Sequence, residues 1–338
     1  DIPDKGGRTA LALAADKGHK EVCELLIEKG ANFDVIANNN YTPLVAATVR
    51  RHGQICDLLL QVGANINVLV NEEWPLLTIA AFTGQVRVCE LLLNKGADVD
   101  TIDIKGLTAL MYAAKKGHKQ VCELLIGKGA DINTKDSEGC TALMYATISG
   151  YKQICELLLI KGAKVDEINN DGWSALTFAA KEGHTDICNF LVTVGAKIDL
   201  DGLIPPIVVA VAAGHAGICR ILIEDESKIY SLLYEDITLL MIAAAMGQVQ
   251  VCNLLLERGA DINFQNNRGY TALMFAAAMN KVEICKLLLE KGDDVDCQDN
   301  KGNTALIYAA EMNKVEVCNL LLTRRINVNA KNNQKRSA

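Results

Sequence analysis

Ten cysteines stand in one register: Cys23, Cys56, Cys89, Cys122, Cys155, Cys188, Cys219, Cys252, Cys285 and Cys318. Successive gaps are 33 residues, with one gap of 31 between Cys188 and Cys219. A fixed period of this size marks a solenoid, in which a small unit unable to bury its apolar face alone is stacked on copies of itself. The rest of the chain keeps the period. Fourteen residues before each Cys stands Thr9, Thr42, Pro75, Thr108, Thr141, Ser174, Pro205, Thr238, Thr271 or Thr304. Five residues after that slot the residue is Ala in all ten copies, from Ala14 to Ala309. Seven residues after the Cys a Gly stands in eight copies, and Glu226 and Arg325 break that column.

One unit, 103–135, shows what each position is for. Asp103-Ile104-Lys105-Gly106 reads as a turn, with Gly106 at a backbone position of positive φ. Thr108 is placed to cap a short, Ala-rich first helix, and Gly117 to end it in a left-handed conformation; Asn280 and Asn313 fill that slot in two later copies. The second helix puts Val121, Leu124 and Leu125 on one face, and Gly129 closes it.

The pattern G-x-T-A-L-x-x-A-A-x-x-G-H-x-x-V-C-x-L-L-I-x-x-G-A-D-I-N resembles the ankyrin repeat, in ten copies starting near residues 4, 37, 70, 103, 136, 169, 200, 233, 266 and 299. The resemblance implies an all-α solenoid of stacked helix–turn–helix units with β-hairpin fingers, forming a single domain over 1–338. It also implies that partners bind a concave side built from fingers and first helices. The chain departs from the family three residues after the Thr slot, where a frequent His is replaced by Ala12, Val45, Thr78, Met111 and their equivalents. Without that side chain the turn is expected to be held by packing.

Composition narrows the function. Half the residues are hydrophobic and only 5% aromatic, so Leu, Ala, Val and Ile make the core. A net charge of −7 argues against nucleic acid, and no apolar run is long enough to insert in a membrane. The chain starts at Asp1 without Met or an apolar leader, which suggests a piece of a longer protein. Equivalent Cys of stacked copies should lie about 10 Å apart, the spacing of packed helices, too far for a disulfide or a shared zinc ion. The ten are therefore expected to be small apolar core residues of a protein from the cytoplasm or another reducing intracellular compartment. Cys140 and Cys297 fall in finger regions and are expected to be more exposed. All five His share one slot, at the start of the second helix, and no phosphate loop, H-E-x-x-H or G-x-S-x-G occurs. No catalytic residue, metal or cofactor is expected.

Binding residues should lie where the repeat template does not dictate the residue. The slot before the Thr holds Tyr41, Trp74, Trp173 and Tyr270 among smaller residues, and aromatics there are candidate hot spots, with finger packing as the alternative. Phe82, Lys115 and Lys116 end early first helices, whereas Met246, Met279 and Met312 end late ones at one register and should form an adaptable stripe. Charge changes along the groove. Lys5, Arg8, Lys17, Arg50, Lys105, Lys115 and Lys116 outnumber Asp16 and Glu72 in the first four copies. Later, Lys181, Arg268 and Lys301 face Glu138, Asp171, Glu182, Asp201, Glu235 and Glu311. Two places are irregular: Pro205-Pro206 with the segment 224–236, and Arg50-Arg51-His52-Gly53, where the helix-ending Gly comes two residues late. Neither end reads as a strong polar cap.

These features predict a monomeric, non-catalytic module that binds a protein or peptide along its finger and first-helix groove, with no nucleic acid partner and no membrane insertion. One alternative is a targeting or inhibitory array of a larger enzyme or effector. Another is a binder of an anionic, nucleotide-like ligand, with Trp74 and Phe82 stacking a ring near Lys105, Lys115 and Lys116.

Overall fold

Among the described residues twenty α-helices follow one another in ten antiparallel pairs, from α1 (Ala10–Lys17) and α2 (Lys20–Glu28) to α19 (Ala305–Glu311) and α20 (Val315–Leu322). The computed structural model describes residues 2–71, 73–198, 204–223, 236–324, 326–334 and 336–337. Two compact units result, Asp1–Ala175 and Leu176–Ala338.

The Thr column starts the first helices. Thr9, Thr42, Thr108, Thr141, Thr238, Thr271 and Thr304 each accept, through the side chain, the backbone N–H three residues on. Pro75 and Pro205 occupy the same place in extended conformation and offer no such bond. Ala47, Ala80, Ala113 and Ala146 are fully buried, and their small size lets successive first helices lie side by side. In the first unit these are α1, α3 (Pro43–Val49), α5 (Leu76–Phe82), α7 (Ala109–Lys116) and α9 (Ala142–Ile148). In the second unit they are α13 (Pro206–Ala213), α15 (Leu239–Met246), α17 (Ala272–Ala278) and α19.

All twelve Cys are free thiols. Nine of the register are buried on the second helices, and burial pushes the thiols of Cys89, Cys122, Cys188, Cys219, Cys252 and Cys285 up to about 12. Cys318, on α20, is half-exposed. Cys140 corrects the sequence expectation: it is 4% exposed, packed under the finger rather than displayed on it, whereas Cys297 is half-exposed as expected.

Polar straps link neighbours. Side chains at the second-helix start reach back to the end of the preceding first helix: His52 Nε2 to Asp16 O at 3.3 Å, Gln85 Nε2 to Thr48 O at 2.7 Å, His118 Nε2 to Phe82 O at 3.0 Å and His215 Nε2 to Lys181 O at 3.0 Å. This is the work of the His column. It also requires the glycine it covers, since a Cβ on Gly84 would lie 2.7 Å from the His118 ring. In the second copy the left-handed position belongs to Arg51, at φ 65°, and Gly53 is the first residue of α4 (Gly53–Gln61). No glycine is displaced there; an arginine takes the glycine's conformation.

The turns correct another expectation. They are held by a side chain at the first position of the copy, not by packing alone. Asp103 Oδ1 accepts the N–H of Lys105 at 2.9 Å and of Leu107 at 2.8 Å, and Asp136, Asn169, Asn266 and Asp299 repeat the arrangement. The backbone closes the same loop, as Asp103 N donates to Leu107 O and Asp136 N to Cys140 O. Among the described residues a two-stranded ribbon forms in the third copy, β1 (Leu69–Val70) with β2 (Trp74–Pro75). Three other fingers carry a single bridge, Ala37 with Tyr41, Ile102 with Thr108 and Ile168 with Ser174. Fingers join through the backbone, Ser137 N to Lys105 O at 2.9 Å and Asn300 N to Arg268 O at 3.0 Å.

The C-terminal tail is not a loose polar end. Asn332 is 7% exposed, accepts the N–H of Gln334 and Arg336, and donates to Asn303 Oδ1 at 2.8 Å, which builds a further finger turn on the tenth copy. The pair α13 and α14 (Ala216–Leu222) forms despite the shortened period, with Pro206 as its first residue. The shortening lies in the connection before α13; residues 199–203, with Asp201, and 224–235, with Glu224, Glu226 and Glu235, lie outside the described residues, as do Glu72 and Arg325.

Candidate functional site

The finger–helix edge of the first unit gathers several of the predicted residues. Tyr41 and Arg50, singled out separately, converge on one carboxylate: Tyr41 donates its hydroxyl to Asp16 Oδ1 at 2.9 Å and Arg50 Nε donates to the same atom at 2.9 Å. Arg50, then Tyr41 and Lys17, hold the Asp16 carboxyl below its ordinary range against the opposing effect of burial. Burial and Asp16 together push the Tyr41 hydroxyl up, so it stays a donor.

Next along the edge is a cluster of rings. Trp74 lies 4.8 Å from Tyr112 at an interplanar angle of 33° and 5.9 Å from Phe82 edge-to-face, and Phe82 meets Tyr112 at 5.9 Å. Lys116 Nζ stands 4.7 Å above the Phe82 ring and Lys115 Nζ 4.8 Å above the Tyr145 ring. Trp74 and Phe82 are half-buried, while Lys115 and Lys116 are exposed. The geometry places Lys116, rather than Lys105, against the rings. Trp173 belongs to the sixth finger and does not join this cluster; it is half-buried and its backbone N–H donates to Asn169 Oδ1 at 2.8 Å.

Tyr112 and Tyr145 escaped the sequence reading, although the signal was present. Both stand four residues after the Thr slot, opposite an Asp nine residues upstream. Tyr112 donates to Asp103 Oδ2 at 2.6 Å and Tyr145 to Asp136 Oδ2 at 2.5 Å, and burial followed by the carboxylate pushes both hydroxyls well above the usual phenol range. The same bond ties Tyr308 to Asp299 at 2.5 Å in the second unit.

The second unit carries a different surface. Tyr270, Met274, Phe275, Ala278, Met279 and Tyr308 line a pocket of about 220 Å³ that is predominantly apolar. Tyr270 stands edge-on to Phe275 at 5.7 Å and to Tyr308 at 5.8 Å. Met246, Met279 and Met312 end neighbouring first helices and are 53%, 58% and 55% exposed, so the thioethers lie at one edge of α15, α17 and α19. Met274 and Phe275 were missed because they occupy slots that elsewhere belong to the core.

Charge is less lopsided than a count suggests. Arg8 is forked onto Asp4 at 2.8 Å, and Arg50 and Lys17 share Asp16 at 2.9 and 3.9 Å. Lys115 and Lys116 have no carboxylate partner among the described residues. No group of three or more His, Cys, Asp or Glu that could hold a metal occurs among the described residues. No described helix is long and apolar enough to cross a membrane.

A family model described as ankyrin repeats (3 copies) matches the chain over residues 1–70, 68–136, 128–202, 148–232, 198–266 and 240–332. Comparison with curated proteins gives no match.

Proposed function

The chain belongs to the ankyrin-repeat family, and on that premise we propose that it is a non-catalytic module that grips a peptide or protein domain with its fingers and first helices. The observation that carries this reading is the pocket of about 220 Å³ lined by Tyr270, Met274, Phe275, Ala278, Met279 and Tyr308. An apolar side chain entering it would meet five aromatic or thioether groups while excluding water, the setting in which anchor residues supply most binding energy. The Trp74 cluster offers a second contact of mixed aromatic and cationic character. Tyr41 and Arg50 would act there as a pre-ordered rim, since Asp16 already holds both. Free, buried thiols suit a reducing compartment.

Affinity capture with mass spectrometry, comparing wild type with Met279→Glu and Trp74→Ala, tests the proposal. A partner bound through these surfaces should lose about 2 kcal/mol or more in at least one variant, with the thermal midpoint of the chain little changed. Undiminished capture by both would overturn the assignment of the surface.

A further inference from the structure

Resting on that reading, we infer that the first unit's aromatic–cationic patch takes an extended acidic segment that carries an aromatic or aliphatic anchor. The patch holds two cations that no described carboxylate meets, beside two aspartates already committed to finger turns and tyrosines. Lys115 and Lys116 sit over the Tyr145 and Phe82 rings, are exposed, and meet no carboxylate among the described residues. Two carboxylates of these copies are committed inward: Asp103 to two turn amides and Tyr112, Asp136 to two turn amides and Tyr145. Glu73 and Glu138, on finger turns, form none of the described ion pairs.

This arrangement selects the occupant. A segment covering Trp74, Phe82 and Tyr112 would take the two ammonium groups out of water. An apolar segment would leave them buried and unpaired, which is costly. A basic segment would add like-charge repulsion. An acidic one supplies charge-assisted hydrogen bonds to Nζ atoms that the rings already hold in place. A planar base is disfavoured as the anchor, because Tyr112 lies against Trp74 and the Lys116 ammonium covers Phe82. A flexible side chain set against the cluster's edge does not need a free ring face.

The test is calorimetric titration of the full chain with a synthetic peptide of alternating Glu and Tyr, at low and at physiological salt. The same peptide with Gln or with Lys in place of Glu, and inorganic phosphate, serve as comparisons. The Glu peptide should bind, weaken by about tenfold or more in Lys115→Glu/Lys116→Glu and in the milder Lys115→Gln/Lys116→Gln, and weaken with salt. Equal binding of the Gln peptide, equal binding by the charge-altered variants at unchanged thermal midpoint, phosphate binding as tightly as the peptide, or no binding of the Glu peptide would each overturn the inference. Should any of these occur while capture of a partner still depends on Trp74 or Met279, the acidic assignment falls and the binding-module reading stands. Loss of that dependence instead removes the reading itself.

Discussion

Tyr112 donates its hydroxyl to Oδ2 of Asp103 at 2.6 Å, while Oδ1 of the same carboxylate takes two amides of the finger turn. The chain repeats this pairing by type. Asp136 and Asp299 also face a tyrosine, Tyr145 and Tyr308, whereas Asn169 and Asn266 have Phe178 and Phe275 at the corresponding place. A carboxylate has two acceptor oxygens; once the turn uses one, the other is buried and needs a donor. An asparagine brings its own N–H₂ and asks nothing of the aromatic.

Tyr112→Phe should therefore destabilise the chain by about 2 kcal/mol, the cost of stranding a buried acceptor. Adding Asp103→Asn should recover a good part of the loss, giving a coupling of about 1 kcal/mol or more in a double-mutant cycle read by urea unfolding. Additive losses would show that the pair carries no energy of its own.

Arg51 occupies a left-handed conformation at φ 65° that glycine fills in several other copies. Relief of the Cβ clash should make Arg51→Gly more stable by about 1 kcal/mol, offset in part by glycine's greater freedom in the unfolded chain. A thermal midpoint that falls would show that the exposed arginine side chain makes a contact worth more than the strain.

Asp293 stands where seven other copies place alanine after the helix-closing glycine. It is 8% exposed, neither carboxylate oxygen has a hydrogen-bond partner in the structure, and burial, then Asp294 and Asp261, push its pKa from 3.8 to about 7. The folded state thus binds a proton that the unfolded state releases. The contribution of Asp293 to stability is greatest below 3.8, declines as pH rises towards about 7, and is flat beyond. Asp293→Ala should remove that decline, stabilising by about 2 kcal/mol more near pH 8 than near pH 5. Parallel pH profiles for wild type and variant would refute the assignment.

Thiol labelling separates the columns. Burial pushes the thiols of Cys122 and Cys252 up to about 12 and shields them from solvent, while Cys297 and Cys318, though also raised, are half-exposed. Peptide mapping after brief alkylation of the native chain should find Cys297 and Cys318 modified well before the others. Early modification of Cys140 would contradict its burial under the finger.

The repeat, the helix caps and the buried cysteines were legible because each is set within one copy: Thr108 needs only the N–H of Met111, and Gly117 only its own φ. What was not legible depends on two copies or on two faces of one. Cys140 looked like a finger residue until the neighbouring Asn169, whose amide lies 3.8 Å from its Sγ, covered it. Arg50 and Tyr41 looked like free binding groups because Asp16 belongs to the preceding copy. The Asp103–Tyr112 pairing could have been read from spacing alone, but it crosses from turn to helix and is hidden in a search by column. The pocket lined by Tyr270 and Met279 draws on two neighbouring copies, and nothing in one copy's pattern announces it.

Within each unit the straps and finger bonds reach only the next neighbour, as from His118 back to Phe82 or from Ser137 to Lys105. Load applied along such a unit passes through every link in series, so yielding should begin at the weakest rung and travel from there. A rung weakened by an ionised Asp293 would then act as a fuse, and acidity would set the tension at which it parts.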